Sequence, residues 1–207
     1  MRQKDTTLTN SHKETYYRRW NRMAKSGIGH TSEKSDFDIS LASDTYFPLN
    51  IEITEQDKND LLEYEKNNDE LYHRHSPGGH YTNLDFLRIP FDLCKSILKN
   101  FKIDPEYISL TTVPGNGQVL MHTDTMYEYR RDSVIVFPLV PDLNDYIPCT
   151  VYERSITHIP PSSCYVFNTQ CPHSVENNSH RRTSLQLWYG KEISEMWNLH
   201  KQGKLLA

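Results

Sequence analysis

The chain has no run of about 18 apolar residues, so it holds no candidate membrane-spanning helix. No apolar signal-peptide core follows Met1, and secretion is not expected. A surplus of positive charge is also missing. Twenty-three basic residues stand against 27 acidic ones, a net charge of −4. The electrostatic footprint of a general nucleic-acid binder is therefore not expected. Cysteine is scarce, and Cys94, Cys149, Cys164 and Cys171 form no CxxC pair. They read as reduced thiols of a cytoplasmic protein. Cys171 lies two residues before a histidine used below, but a small buried side chain is the simpler reading. In that compartment the glycosylation acceptor Asn177-Asn178-Ser179 carries no meaning.

Apolar residues make up only 36% of the 207 residues, and the shortage is uneven. All eight valines lie between Val113 and Val175, and no lysine occurs between Lys102 and Lys191 although the chain has twelve. The middle is β-like, and both flanks are polar and carry the lysines. Residues 1–45 read as a polar arm with one short helix near Ser11–Ala24. The cluster Tyr16-Tyr17-Arg18-Arg19-Trp20 could contact nucleic acid, but docking of the arm on its own domain is the simpler reading. Thr54 caps a helix reaching about Asn67, with Leu61, Leu62 and Tyr64 partly buried. Pro90 opens a second helix, on the spacing of Phe91, Cys94, Ile97, Leu98 and Phe101. Strands are expected near 107–113, 117–124, 133–139, 149–157, 163–168 and 183–190. Turn residues such as Pro114-Gly115-Asn116-Gly117 separate them, which suggests a sandwich or small barrel. Glu192 to Gln202 reads as a closing helix.

His122-Thr123-Asp124 and His173 are the candidate chemistry. In an extended chain residues i and i+2 face one side, so His122 and Asp124 can serve one point. A third ligand, His173, would complete the facial triad of non-haem Fe(II) oxygenases, which leaves three coordination positions open. With ten histidines in the chain, chance pairings remain open, and His73-Arg74-His75 is a rival imidazole pair. Arg182 and Ser184 share one face of an alternating segment. A guanidinium with a hydroxyl beside it suits a buried carboxylate. The competing reading is a solvated Arg181-Arg182 pair on an edge strand.

The motif order resembles that of 2-oxoglutarate/Fe(II)-dependent dioxygenases. It runs Pro114-Gly115, His122-x-Asp124-Thr125, Phe137-Pro138-Leu139-Val140, Phe167-Asn168-Thr169-x-x-Pro172-His173-Ser174-Val175-x-Asn177, then Arg182-x-Ser184. The nearest look is to the aspartyl/asparaginyl β-hydroxylase and free-proline hydroxylase branch, over about Tyr107 to Tyr189. The resemblance implies a mainly β fold with flanking helices and a double-stranded β-helix (jelly-roll, cupin-like) core. It implies Fe(II) held by His122, Asp124 and His173, with 2-oxoglutarate and O2 as cosubstrates. Arg182 and Ser184 would hold the distal carboxylate of 2-oxoglutarate. The absence of an inner-strand lysine between 103 and 190 favours that arginine. Asp124 is present where halogenases carry a small residue, which favours hydroxylation. Iron chemistry of this kind needs no general base, so no catalytic side chain is assigned beyond the metal ligands.

Gln118 shares the strand parity of His122, and Asn168 precedes His173 by five residues. Both are candidates for cosubstrate binding, and Gln118 reads equally as a polar strand start. Tyr127, Tyr129, Arg130 and Arg131 follow the HxD turn, where a substrate lid is common in the family. A solvated arginine pair is the competing reading. Trp188 lines the pocket or belongs to the core. The loop-like segment from His73 to Arg88, with His75, His80 and Tyr81, could cap the site. The expected division is an arm over 1–45, supporting helices and substrate-side loops over 46–104, a jelly-roll catalytic core over 105–190 and a helix over 191–207. The expected activity is hydroxylation of an unactivated C–H bond in an amino-acid-like small molecule or an amino-acid side chain, with release of succinate and CO2. The expected partner is a small-molecule or peptide substrate, with neither nucleic acid nor membrane. A nucleobase demethylase of the same chemistry is the first alternative. Trp188 stands where such enzymes show a second arginine, which counts against it. A non-catalytic jelly-roll binding protein is the second.

Overall fold

The computed structural model describes residues 46–68, 73–74, 81–82, 85–115, 117–122, 133–141, 150–152, 156–158, 162–169, 173–176 and 180–207. The expected arm over 1–45, with its short helix and aromatic cluster, lies outside them. Among the described residues no helix is long and apolar enough to cross a membrane.

The strands are β1 (Tyr46–Pro48), β2 (His73–Arg74), β3 (Tyr81–Thr82), β4 (Asp85–Ile89), β5 (Tyr107–Val113) and β6 (Gln118–His122). They continue with β7 (Ser133–Val140), β8 (Thr150–Tyr152), β9 (Ile156–His158), β10 (Tyr165–Asn168), β11 (His173–Glu176) and β12 (Arg182–Tyr189). One sheet has the order β1-β10-β7-β12-β5-β4-β2, and the other β3-β6-β11-β8-β9. From β5 onward the chain passes back and forth between the sheets, always pairing antiparallel. That alternation is the double-stranded β-helix, as expected.

The larger sheet buries both faces, and its sequences show why. In β12, Leu185, Leu187 and Tyr189 join Ile108 and Leu110 of β5 and Ile135 and Phe137 of β7 in one core. The helices α1 (Glu55–Asn67), α2 (Lys95–Leu98) and α3 (Ile193–Lys201) close over that outer face through Leu61, Ile97, Met196 and Trp197. The alternate residues Val113, Val134, Val136, Tyr165, Phe167 and Trp188 form a second core with Val119 and Val175 of the smaller sheet. A strand buried on both faces loses the strict polar alternation of a half-exposed one.

Helix α1 starts where expected, because the Thr54 hydroxyl accepts from the Asp57 amide at 3.0 Å. Leu61 and Glu65 are its buried residues, four apart on one face. Packing of Phe47 edge-on against Trp197, with ring centroids 5.0 Å apart, ties β1 to α3. The second helix differs from expectation. Residues Phe91–Cys94 form a 3-10 turn before the short α2. The tighter turn shifts the side-chain phase, and Phe91 is 41% exposed instead of buried. The single strand expected over 149–157 is a hairpin, with Thr150 opposite His158 and Tyr152 opposite Ile156. The polar run Glu153-Arg154-Ser155 separates its two arms. Segment 73–88, expected as a loop, instead supplies strands to both sheets. Its β4 runs beside β5 from Asp85–Thr112 to Ile89–Ile108, and β3 pairs with β6. The β core therefore begins well before residue 105.

Leu185 is fully buried at the centre of the outer core. Leu185→Ala should cost about 2–5 kcal/mol of stability, read as a lower denaturant midpoint. Burial raises the Cys94 thiol to about 12, aided by the Asp57 charge, and pushes Cys164 well above its ordinary range. Both thiols stay protonated in the folded protein. The contribution of Cys94 to stability is complete below the ordinary thiol value of 9.0 and is lost as pH rises toward 12. At pH 8, iodoacetamide should leave both unlabelled until denaturant is added; rapid labelling of the folded protein would contradict their burial.

Candidate active site

The turn that carries the chain from β5 in the larger sheet to β6 in the smaller one positions the first histidine. Its turn closes when the Gly117 amide donates to the Pro114 carbonyl at 3.0 Å. A Cβ at 117 would stand 2.9 Å from that oxygen and 3.1 Å from Val113 Cγ1, so the turn accepts glycine alone. Strand β6 then pairs with β11, Gln118 opposite Glu176 and Val119 opposite Val175. The register shifts before His122 pairs with His173. Two β6 positions, 120 and 121, face the single β11 position 174 across this bulge. Directly paired positions carry their Cβ atoms about 4.5–5.5 Å apart on one face. The backbone thus sets His122 beside His173, although the two lie 51 residues apart in sequence. His173, which falls between the expected strands 163–168 and 183–190, opens a strand of its own.

The His173 ring is 6% exposed and meets Phe167 edge-on, with centroids 4.8 Å apart. Phe167 belongs to the inner core between the sheets, so His173 faces that interior. Arg182, Ser184, Gln186 and Trp188 share the facing side of β12. Arg182 sits opposite Val113, Ser184 opposite Thr111, Gln186 opposite Ser109 and Trp188 opposite Tyr107. Arg182 is 6% exposed and Ser184 is buried. The edge-strand reading of Arg182 is therefore wrong: β12 lies between β5 and β7. Its neighbour Arg181 is the half-exposed member of the pair.

Below Arg182 the same face carries a polar stripe and an aromatic ladder. The Thr111 hydroxyl donates to Gln186 Oε1 at 2.7 Å. Trp188 Nε1 donates to Ser109 Oγ at 2.9 Å, and its ring stacks on Tyr107 at 5.4 Å. Phe86 meets Tyr107 edge-on, and the Arg88 guanidinium lies 5.1 Å over the same ring. Tyr46, paired with Phe167 on β10, has its phenol raised above the ordinary range by burial. Sequence reading missed Gln186, although β12 alternation alone points to it. It also missed Tyr107, Ser109 and Thr111, which only the β5–β12 register brings beside Arg182.

Two expected residues change place. The parity argument for Gln118 fails, because the bulge lies between it and His122. Gln118 pairs with Glu176, and the register shift separates that pair from His122 and His173. Asn168 alternates with the inner Phe167 and shares the side of Val166, which packs in the outer core. Asp124, Tyr127, Tyr129, Arg130, Arg131, His75, His80, Cys149 and Cys171 lie outside the described residues. Among the described residues no three His, Cys, Asp or Glu side chains converge on one point.

No protein-family model matches the sequence, and no curated protein sequence matches it. Solved structures do share the fold. A prolyl-4-hydroxylase from Pseudomonas putida superposes with a TM-score of 0.52 at 15% identity, over 73% of this chain and 95% of its own. A prolyl hydroxylase from Trichoplax adhaerens, in complex with a hypoxia inducible factor peptide fragment, gives a TM-score of 0.56 at 13% identity. It covers 93% of this chain and 98% of its own. The jelly roll of this chain is thus the fold these hydroxylases use.

Trp188→Phe keeps the stack on Tyr107 but leaves the buried Ser109 hydroxyl without the indole donor. It should cost about 1–3 kcal/mol in denaturant unfolding. An unchanged midpoint would show that the indole bond contributes nothing.

Proposed function

We propose that this chain is an Fe(II)- and 2-oxoglutarate-dependent dioxygenase that hydroxylates an unactivated C–H bond. The observation that carries the reading is the cross-strand pairing of His122 with His173, facing a sheet that buries Arg182. Two imidazole positions on one face, with an aspartate two residues beyond the first, fit a facial Fe(II) triad. In that assignment His122, Asp124 and His173 hold the metal. Arg182, with Ser184 beside it, holds the distal carboxylate of 2-oxoglutarate, since a planar guanidinium meets a carboxylate with two parallel hydrogen bonds. The bound metal and cosubstrate supply the oxidising chemistry, and succinate and CO2 are released.

The protein's own part is orientation and exclusion of water. Phe167 holds the His173 imidazole edge-on and keeps one side of it dry. Val113, Val119 and Val175 line the interior near the paired histidines and limit access of water. The substrate side is the ladder of Trp188, Tyr107 and Arg88. There an aromatic surface lies beneath an exposed guanidinium, which suits an amino-acid-like molecule or a peptide carrying a carboxylate. The peptide bound by the Trichoplax neighbour supports the peptide form of this reading. Trp188, buried and bonded to Ser109, takes the position where a demethylase would show its second arginine. The segment after His122, with Tyr127, Arg130 and Arg131, is assigned to the substrate side, and the arm over 1–45 is assigned to docking.

His173→Ala should abolish stoichiometric binding of Mn(II), used as a redox-inert probe. Arg182→Gln should leave Mn(II) binding intact and weaken 2-oxoglutarate by roughly 10–100-fold, as expected for loss of a charged hydrogen-bonding partner. Calorimetric titration of the purified protein reads both. Tight 2-oxoglutarate binding by the Arg182→Gln variant, or no metal binding by the parent chain, would remove this assignment.

A further inference from the structure

Glu65 is the buried charge that the proposed reaction does not use. It lies on α1, on the outer side of the larger sheet, and is only 2% exposed. Its carboxylate accepts from the Thr112 hydroxyl at 2.5 Å and from the Arg181 guanidinium. Thr112 and Thr183 share a further hydrogen bond at 3.1 Å across the β5–β12 ladder. Every group in this cluster lies on the face opposite Arg182. Arg181 and Thr183 are the two residues that flank it in sequence.

The position of this cluster matters because the ladder is irregular there. Between β12 and β7 the register shifts between Thr183 and Ser184, so Val140 pairs with Thr183 and Pro138 with Ser184. Pro138 has no N–H to give. The β7 side therefore specifies the start of β12 poorly. A slip of one residue would turn Arg182 to the helix side and bring Arg181 or Thr183 inward. We propose that Glu65 is a positioning residue for cosubstrate binding. By holding Arg181 and Thr112, and through Thr112 the Thr183 hydroxyl, it fixes the alternation that aims Arg182 between the sheets. A buried carboxylate left without these donors is costly, so the native register is the one in which they all meet it. The inference rests on the assignment of Arg182 to 2-oxoglutarate.

The test uses the full chain loaded with Mn(II). Glu65→Gln should weaken 2-oxoglutarate about tenfold, the scale seen when a group orienting a ligand-binding residue is lost, with Mn(II) affinity unchanged. Arg181→Gln, a change at a half-exposed side chain, should act in the same direction. The double variant should be no weaker than Glu65→Gln alone. Leu61→Ala, one turn earlier on the same helix, should lower the melting temperature and leave 2-oxoglutarate affinity untouched. Hydrogen exchange at the amides of residues 182–184 should quicken in Glu65→Gln without any ligand. If Glu65→Gln lowers only the melting temperature, or Leu61→Ala weakens 2-oxoglutarate equally, Glu65 is structural and the proposal fails. Unchanged exchange at 182–184 also overturns it. A parent chain that binds Mn(II) but no 2-oxoglutarate removes the cosubstrate reading itself, whatever the exchange data show.

Discussion

Alternation of side chains along β12 organises both cores of the molecule. Leu185, Leu187 and Tyr189 are committed to the core beneath the helices. Arg182, Ser184, Gln186 and Trp188 are thereby committed to the interior between the sheets. The same division passes through the ladders to β5 on one side and β7 on the other. Because both faces are buried, neither set can move to solvent, and a slip of one residue would bury the wrong set on both sides. The apolar outer face contributes most of the burial, and the polar inner face gains its place from that constraint.

Buried polar groups are costly unless hydrogen-bonded, and two of those placed inside in this way are bonded across strands. Thr111 serves Gln186, and Ser109 serves Trp188, each joining β5 to β12. A net gain of about 1 kcal/mol per bond is modest, but leaving any of these groups unmet costs more. The stripe therefore acts mainly against alternative registers. On the other sheet the β6–β11 bulge has the complementary effect. It adds a residue to β6 between Val119, which fills the inner core, and His122, which faces His173. Without the extra residue, strict alternation would place His122 and Val119 on opposite faces. Bulges commonly re-aim a side chain beside a functional site.

Much of this fold is legible from local pattern. The Thr54 cap, the strands at 107–113 and 133–140 and the closing helix after Glu192 all carry their signals within a few residues. The losses occur where local pattern is weak or where two segments must meet. Asp85-Phe86-Leu87-Arg88-Ile89 breaks alternation at Phe86-Leu87 and follows a segment dense with histidine and glycine, so its strand signal is weak. The bulge leaves no mark in β6, whose residues are ordinary strand formers, so parity counted along the sequence does not carry from Gln118 to His122. Distance from His173 in sequence says nothing of the side Asn168 takes, which the alternation of β10 decides.

The class of architecture and the inventory of chemistry are written in local pattern and residue order. The confinement of valine to the middle of the chain, the absence of lysine there and the order His122, Asp124, His173, Arg182 are all properties of one dimension. Which of these groups share a space follows from the packing of distant segments. Cross-strand register set His122 beside His173 and turned Arg182 inward and Arg181 outward. It also brought Glu65, a helix residue with nothing local to distinguish it, beneath the start of β12. Side-chain pairing across strands depends on hydrogen-bond register between distant segments, and a single bulge changes it without changing composition or periodicity.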